Sequence, residues 1–78
     1  MSTMKELVEY MAKSLVNHPD AVVVREIERG DAVTYRLSVA PDDMGRIIGK
    51  QGRVVNAMRV LLRVAAVKDG RRATLEIV

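Results

Sequence analysis

Hydrophobic positions in this chain alternate between a helical and a strand period, and the switches mark out its elements. Met4, Leu7, Val8, Met11 and Leu15 fall at helical spacing, and Thr3 followed by Glu6 reads as a capping box, so a helix is expected over about residues 3–17. Asn17-His18-Pro19-Asp20 stops it, because proline disfavours helical geometry in the residue before it and Asn and Asp favour turns. From Ala21 to Glu28 the chain is rich in β-branched residues, and Val33, Tyr35, Leu37 and Val39 then alternate with Thr34, Arg36 and Ser38 as a half-buried strand requires. With Arg29-Gly30-Asp31 as the turn, the two strands form an antiparallel hairpin, ended by Pro41.

Asp42 or Asp43 is placed to cap a short helix running to Ile48. After two glycines, Arg53 to about Lys68 is helical by periodicity, with Val54, Val55, Met58, Leu61, Leu62 and Ala65 sharing the face expected to pack on the sheet. Asp69-Gly70 ends that helix, and Arg71 to Val78 reads as a last strand with Ala73, Leu75 and Ile77 on one side. The predicted class is α+β, in the order α-β-β-α-α-β, with the helices covering one face of a three-stranded sheet. At 78 residues, residues 1–78 are read as a single small domain without repeats, linkers or low-complexity segments.

Composition narrows the function. Only Tyr10 and Tyr35 are aromatic, so the core must be aliphatic, and the absence of cysteine rules out disulfides and thiolate metal sites. No apolar run approaches the roughly 18 residues of a membrane span, and the first residues lack a signal-peptide pattern, so a soluble, cytoplasmic protein without membrane contact is expected. The net charge of +3 conceals an asymmetry: residues 1–43 hold five Lys/Arg against eight Asp/Glu, and residues 44–78 hold eight against two. The positive half is a candidate surface for a polyanion.

That half contains Ile47-Ile48-Gly49-Lys50-Gln51-Gly52-Arg53. Two glycines three positions apart allow a ligand close to the backbone, and the start of the helix near Arg53 directs N–H groups and a positive dipole end at the same spot. With Asp43-Met44-Gly45-Arg46 before it, the segment resembles the signature of KH domains, in which a Gly-x-x-Gly loop between two helices clamps about four nucleotides of single strand. The order of elements along the whole chain is similar to the type II KH arrangement, and within it to the small stand-alone KhpA type of bacteria.

The resemblance implies an RNA-binding protein of the RNA chaperone or post-transcriptional regulator kind, linked to cell shape through a partner, with single-stranded RNA held by the loop. Carried onto this sequence, Gly49 and Gly52 give close approach, Lys50 and Gln51 contact phosphate, Arg46 and Arg53 flank the loop, and Ile47 or Ile48 lines the apolar floor under the bases. Gly45 is assigned to close helix packing. Without an aromatic near the loop, recognition cannot rely on base stacking, so affinity is expected to be modest, salt-dependent and weakly selective. Single-stranded DNA remains an open alternative ligand.

On the helix over residues 53–68, Ala57, Val60, Val64 and Val67 repeat at seam spacing nearly opposite the core face, which predicts a homodimer or a partner helix. The KhpA type is similar in self-associating and in partnering a larger Jag-type KH protein. The rival reading is a protein-interaction module acting through this helix with little nucleic-acid binding of its own. An enzyme is not expected: His18 stands alone at a helix end, Asp42 and Asp43 have no metal-site companions, and Gly45-Arg-Ile-Ile-Gly49-Lys50-Gln51 departs from a P-loop in both spacing and terminal residue. No cofactor or metal is implied. Arg59 and Arg63, four apart, either extend the positive surface or serve solubility.

Overall fold

The computed structural model describes residues 3–78, the side chain of Thr3 excepted, so the capping contact expected of Thr3 lies outside the described residues. The elements are α1 (Thr3–Leu15), β1 (Val23–Arg29), β2 (Ala32–Ser38), α2 (Met44–Ile48), α3 (Arg53–Lys68) and β3 (Arg72–Ile77), in the expected order α-β-β-α-α-β. Short 3₁₀ turns at Pro19–Ala21 and Pro41–Asp43, and a tight turn with left-handed residues at Lys50–Gly52, join them. The first of these displaces the start of β1 from Ala21 to Val23, with the Val22 N–H donating to the Pro19 carbonyl at 3.1 Å.

The sheet order is β1-β2-β3. The two-residue turn Gly30-Asp31 closes β1 and β2 into an antiparallel hairpin whose register runs from Val23↔Ser38 to Arg29↔Ala32. β3 pairs with β2 in parallel, from Ala32↔Arg72 to Leu37↔Ile77. The crossover helix explains that direction: the 16 residues of α3 cover about 24 Å at about 1.5 Å each, the length of a seven-residue strand, so the chain returns to the end at which β2 began.

Alternation along β2 places Val33, Tyr35 and Leu37 on the helix side, all buried, with Leu75 beside them on β3 and Val24 on β1. The Tyr35 hydroxyl donates to Glu26 Oε2 at 2.6 Å, which satisfies the one polar atom that this aromatic brings to the core. From the helices come Met4, Val8 and Ala12 of α1, Ile47 of α2, and Val55, Met58, Leu62 and Ala66 of α3. Leu61, expected on the face that packs on the sheet, lies at the surface instead, as does Leu15 at the end of the apolar spacing of α1, while Ala12 and Ala66 are fully buried. An alanine lets a helix approach its neighbour closely, and a leucine at the border of a face keeps one side in water.

Asp43 is the buried charged residue among those described. The expected helix-capping role is not observed, since its carboxylate makes no hydrogen bond to the first turn of α2. Instead, Oδ1 accepts from the Asn17 N–H and Oδ2 from the His18 N–H, both at 3.0 Å, and Arg46 Nε lies 3.6 Å from Oδ1. The carboxylate thus ties the segment after α1 to the start of α2. The Asn17 N–H is the leading cause holding the Asp43 carboxyl below its ordinary value near 3.8; the His18 N–H and the positive charge of His18 and Arg46 act the same way, and burial opposes them.

At the far end of α2, Gly49 adopts φ 74° and ψ 174°, a conformation that residues with a side chain scarcely reach. A Cβ here would lie 2.9 Å from the Val54 backbone nitrogen and nearer still to the Val54 side chain. Gly45 is different: a Cβ at this helical position meets nothing within 4 Å, so close packing is not its role.

Three outcomes follow for stability. Gly49→Ala should lose roughly 2–5 kcal/mol in urea denaturation, through strain and overpacking together, whereas Gly45→Ala should gain up to about 1 kcal/mol from helix propensity. The stabilising contribution of the Asp43 carboxylate should be complete above about 3.8, weaken as pH falls below it, and vanish once pH is below the lowered folded value. Urea midpoints of wild type and Asp43→Asn should therefore be well separated at neutral pH and converge in strong acid; a constant gap would contradict this role.

Candidate nucleic-acid interface

The loop between α2 and α3 is a tight, unusual piece of backbone. The Gly49 N–H closes α2 on the Gly45 carbonyl at 2.8 Å, and the Gly52 N–H turns back to the Gly49 carbonyl at 3.2 Å. Gln51 and Gly52 are both left-handed, with φ 57° and 75°, and Gln51 is the one positive-φ residue with a side chain among those described. Left-handed glutamine is disfavoured by sterics. The result is that Lys50 and Gln51 project from the tip, both exposed, and Arg53 follows them, exposed at the first turn of α3.

The basic residues expected around this loop divide into two groups. Among the described residues, Lys50 and Arg53 have no acidic partner. Arg46 is held: its Nε faces the Asp43 carboxylate, and with the Asn17 amide turned to present its oxygen, that oxygen accepts from Arg46 Nη2 at 3.0 Å and Nε at 3.2 Å. Half of its side chain remains in solvent. Arg59 is engaged too, donating through Nε to the Leu75 carbonyl at 3.3 Å, which fastens α3 to β3 while the residue stays exposed. Arg63 is exposed.

The isoleucine pair separates cleanly. Ile47 is 0% exposed and belongs to the core, whereas Ile48, at 41%, stands at the surface directly before the loop. On α3 the stripe Ala57, Val60, Val64 and Val67 is exposed along its whole length, with Val64 at 53% and Val67 at 68%. The apolar surface is wider than that stripe. Leu61 (54%) and Tyr10 (72%) join it, and Tyr10, Met11 and Leu15 of α1 line an apolar groove with Val54, Ala57 and Leu61 of α3. Sequence reasoning missed this extension, although Ala57, Leu61 and Val64 also repeat at seam spacing.

Among the described residues there is no cluster of His, Cys, Asp and Glu able to hold a metal, and no helix long and apolar enough to cross a membrane.

A family model described as KhpA/KhpB, KH domain, matches residues 5–77. The chain is 49% identical over 75 residues to the RNA-binding protein KhpA of Caldanaerobacter subterraneus subsp. tengcongensis, covering 96% of this chain and 100% of that protein. It is 51% identical to RNA-binding protein KhpA of Halalkalibacterium halodurans, over 96% of this chain and 99% of the other. Identity to its namesake in Aquifex aeolicus is 46%, over 99% and 98%. Among solved structures, Aquifex aeolicus Era bound to GDP and AlF4⁻ and Era in complex with MgGDPNP and a segment of 16S ribosomal RNA share the fold, each with TM-score 0.67 and 23% identity; both comparisons cover 95% of this chain, and 29% and 28% of those chains. The names of the relatives agree with the expectation of a binding protein rather than an enzyme. A family match over nearly the whole chain, joined to near-half identity with full-length relatives, shows that this chain belongs to the KhpA/KhpB KH-domain family.

Proposed function

We propose that this protein binds single-stranded RNA through the Gly49–Gly52 loop, in the manner of an RNA chaperone or post-transcriptional regulator. The observation that carries the reading is the loop itself: a backbone that excludes any side chain at Gly49 and presents Lys50 and Gln51 in solvent beside Arg53. A purely structural turn has no need of unpaired positive charge. The Gly52 and Arg53 N–H groups are bonded to the Gly49 and Lys50 carbonyls, so those two are not offered to phosphate, and the side chains of Lys50, Gln51 and Arg53 supply charge and hydrogen bonds. Arg46 has a double role, bracing Asp43 and adding its exposed edge to the rim. Ile48 supplies aliphatic surface for the bases, and Ile47 supports it from the core. The relatives' name, RNA-binding protein, supports RNA as the ligand.

We further propose that Ala57, Val60, Val64 and Val67 form an interface, either between two copies of this chain or with a larger Jag-type KH protein. Four consecutive seam positions exposed on a single helix leave apolar area that association would remove from water, and pairing two weak RNA sites raises avidity without new contacts.

A labelled short RNA titrated across a salt series tests the first proposal. Wild type should show a log–log salt slope of about −0.7 per phosphate contacted, and Lys50→Asp/Gln51→Asp, shown to be folded by circular dichroism, should lose binding. Equal binding by both proteins would remove the loop from the function. For the interface, Val64→Asp should run as a monomer in analytical ultracentrifugation where wild type runs as a dimer; a folded variant of unchanged mass would exclude the stripe.

A further inference from the structure

The helices cover one face of the sheet, and the opposite face is open. On this face the register places side chains in rows across the three strands: Arg25, Arg36 and Glu76 in one, Ile27, Thr34 and Thr74 in the next, Arg29, Ala32 and Arg72 in a third. β1 sorts its charges by side. Glu26 and Glu28, opposite Tyr35 and Val33, are on the helix side, while Arg25 and Arg29 are on the open side.

Four arginines therefore share one surface, opposed by Glu76 and by Asp31 in the turn. Arg36 Nε pairs with Glu76 at 3.2 Å, and Arg72 Nη2 lies 3.7 Å from Asp31. Arg25 and Arg29 are exposed and have no acidic partner among the described residues. Arg25 also sits directly across from Arg36, and like charges in a cross-strand pair destabilise a sheet. A fold that needed only solubility would gain by exchanging one of them for an acid.

We propose that the open sheet face is a second contact surface for the phosphate backbone of the same RNA strand. Arginine guanidinium forks suit phosphate oxygens, and successive rows lie about 6.6 Å apart along the strands. The hydroxyls of Thr34 and Thr74 lie between them as further donors. This face is opposite α3, so an RNA there leaves the apolar helix stripe free. With extents of 34 × 24 × 18 Å, the molecule is small enough for one strand to reach both sites: about 20 nucleotides span roughly 68 Å even at a stacked rise of about 3.4 Å. Nucleotides beyond the four in the loop groove would then add affinity.

The proposal extends the loop reading but is separable from it by strand length. Labelled oligouridines of about 4 and about 20 nucleotides would be titrated into wild type, Arg25→Gln/Arg29→Gln, Lys50→Asp/Gln51→Asp and the combined variant. The arginine variant should bind the short strand as wild type does, yet bind the long one roughly tenfold or more weakly at low salt, with a log–log slope shallower by about 1.4. The loop variant should lose the short strand but keep a part of long-strand binding that disappears in the combined variant. Ala32→Glu, which sets a carboxylate between Arg29 and Arg72, should reproduce the long-strand loss with all arginines present. Equal long-strand affinity and slope in each pair differing only at Arg25 and Arg29 would overturn the proposal and leave this face as a charged guard against edge-to-edge pairing. Failure of the loop variant to differ on the short strand would refute the loop reading alone.

Discussion

The Asp43 carboxylate is the contact on which the placement of everything around the loop depends. It is a buried anion held by the N–H groups of Asn17 and His18 from one segment and by Arg46 from another. Burying a charge is costly unless it is paired and hydrogen-bonded, so this interaction is permissive only when its partners are in place together. It sets where the chain leaving α1 meets the start of α2. A five-residue helix has little stability of its own, and α2 is oriented by this anchor at its beginning and by Ile47 in the core.

Beyond that anchor the loop obtains its form from what it excludes. The approach of Gly49 to Val54 leaves no room for a Cβ, which joins α2 to α3 almost without slack. Gln51 then stands in a left-handed conformation that a flexible linker would not choose. Local strain of about 1–3 kcal/mol persists only where surrounding structure over-determines the backbone; here the surroundings are the end of one helix and the start of another. Charge is arranged in keeping with this: Arg46 and Arg59 are bound to the framework, and Lys50 and Arg53 are left to solvent.

Much of this was legible in the order of residues, and the exceptions have physical reasons. The hairpin is readable because Val33, Tyr35, Leu37 and Val39 obey a period of two, and the loop because two glycines three apart stand among Arg46, Lys50 and Arg53 between two helical segments. The face of α3 was read correctly at Val55, Met58 and Leu62, yet Leu61 outweighed Ala66 on hydrophobicity while helix packing selected the smaller residue. Asp43 misled because capping is a local pattern, whereas its partners are 25 and 26 residues earlier in the chain. The conformation of Gln51 left no mark at all, since nothing in a glutamine announces a positive φ. Whether Ile47 or Ile48 faces out also required the helix phase, which five residues do not define.

The parallel pairing of β2 with β3 carries a kinetic consequence. The β1–β2 hairpin closes through a two-residue turn, and its contacts are among the most local that a sheet can make. Joining Ala32 to Arg72, 40 positions apart in sequence, closes a loop that includes α2, the glycine loop and all of α3. The glycine loop lies inside that closure. Docking of β3, with Arg59 donating to the Leu75 carbonyl, therefore fixes both ends of the segment that carries the loop.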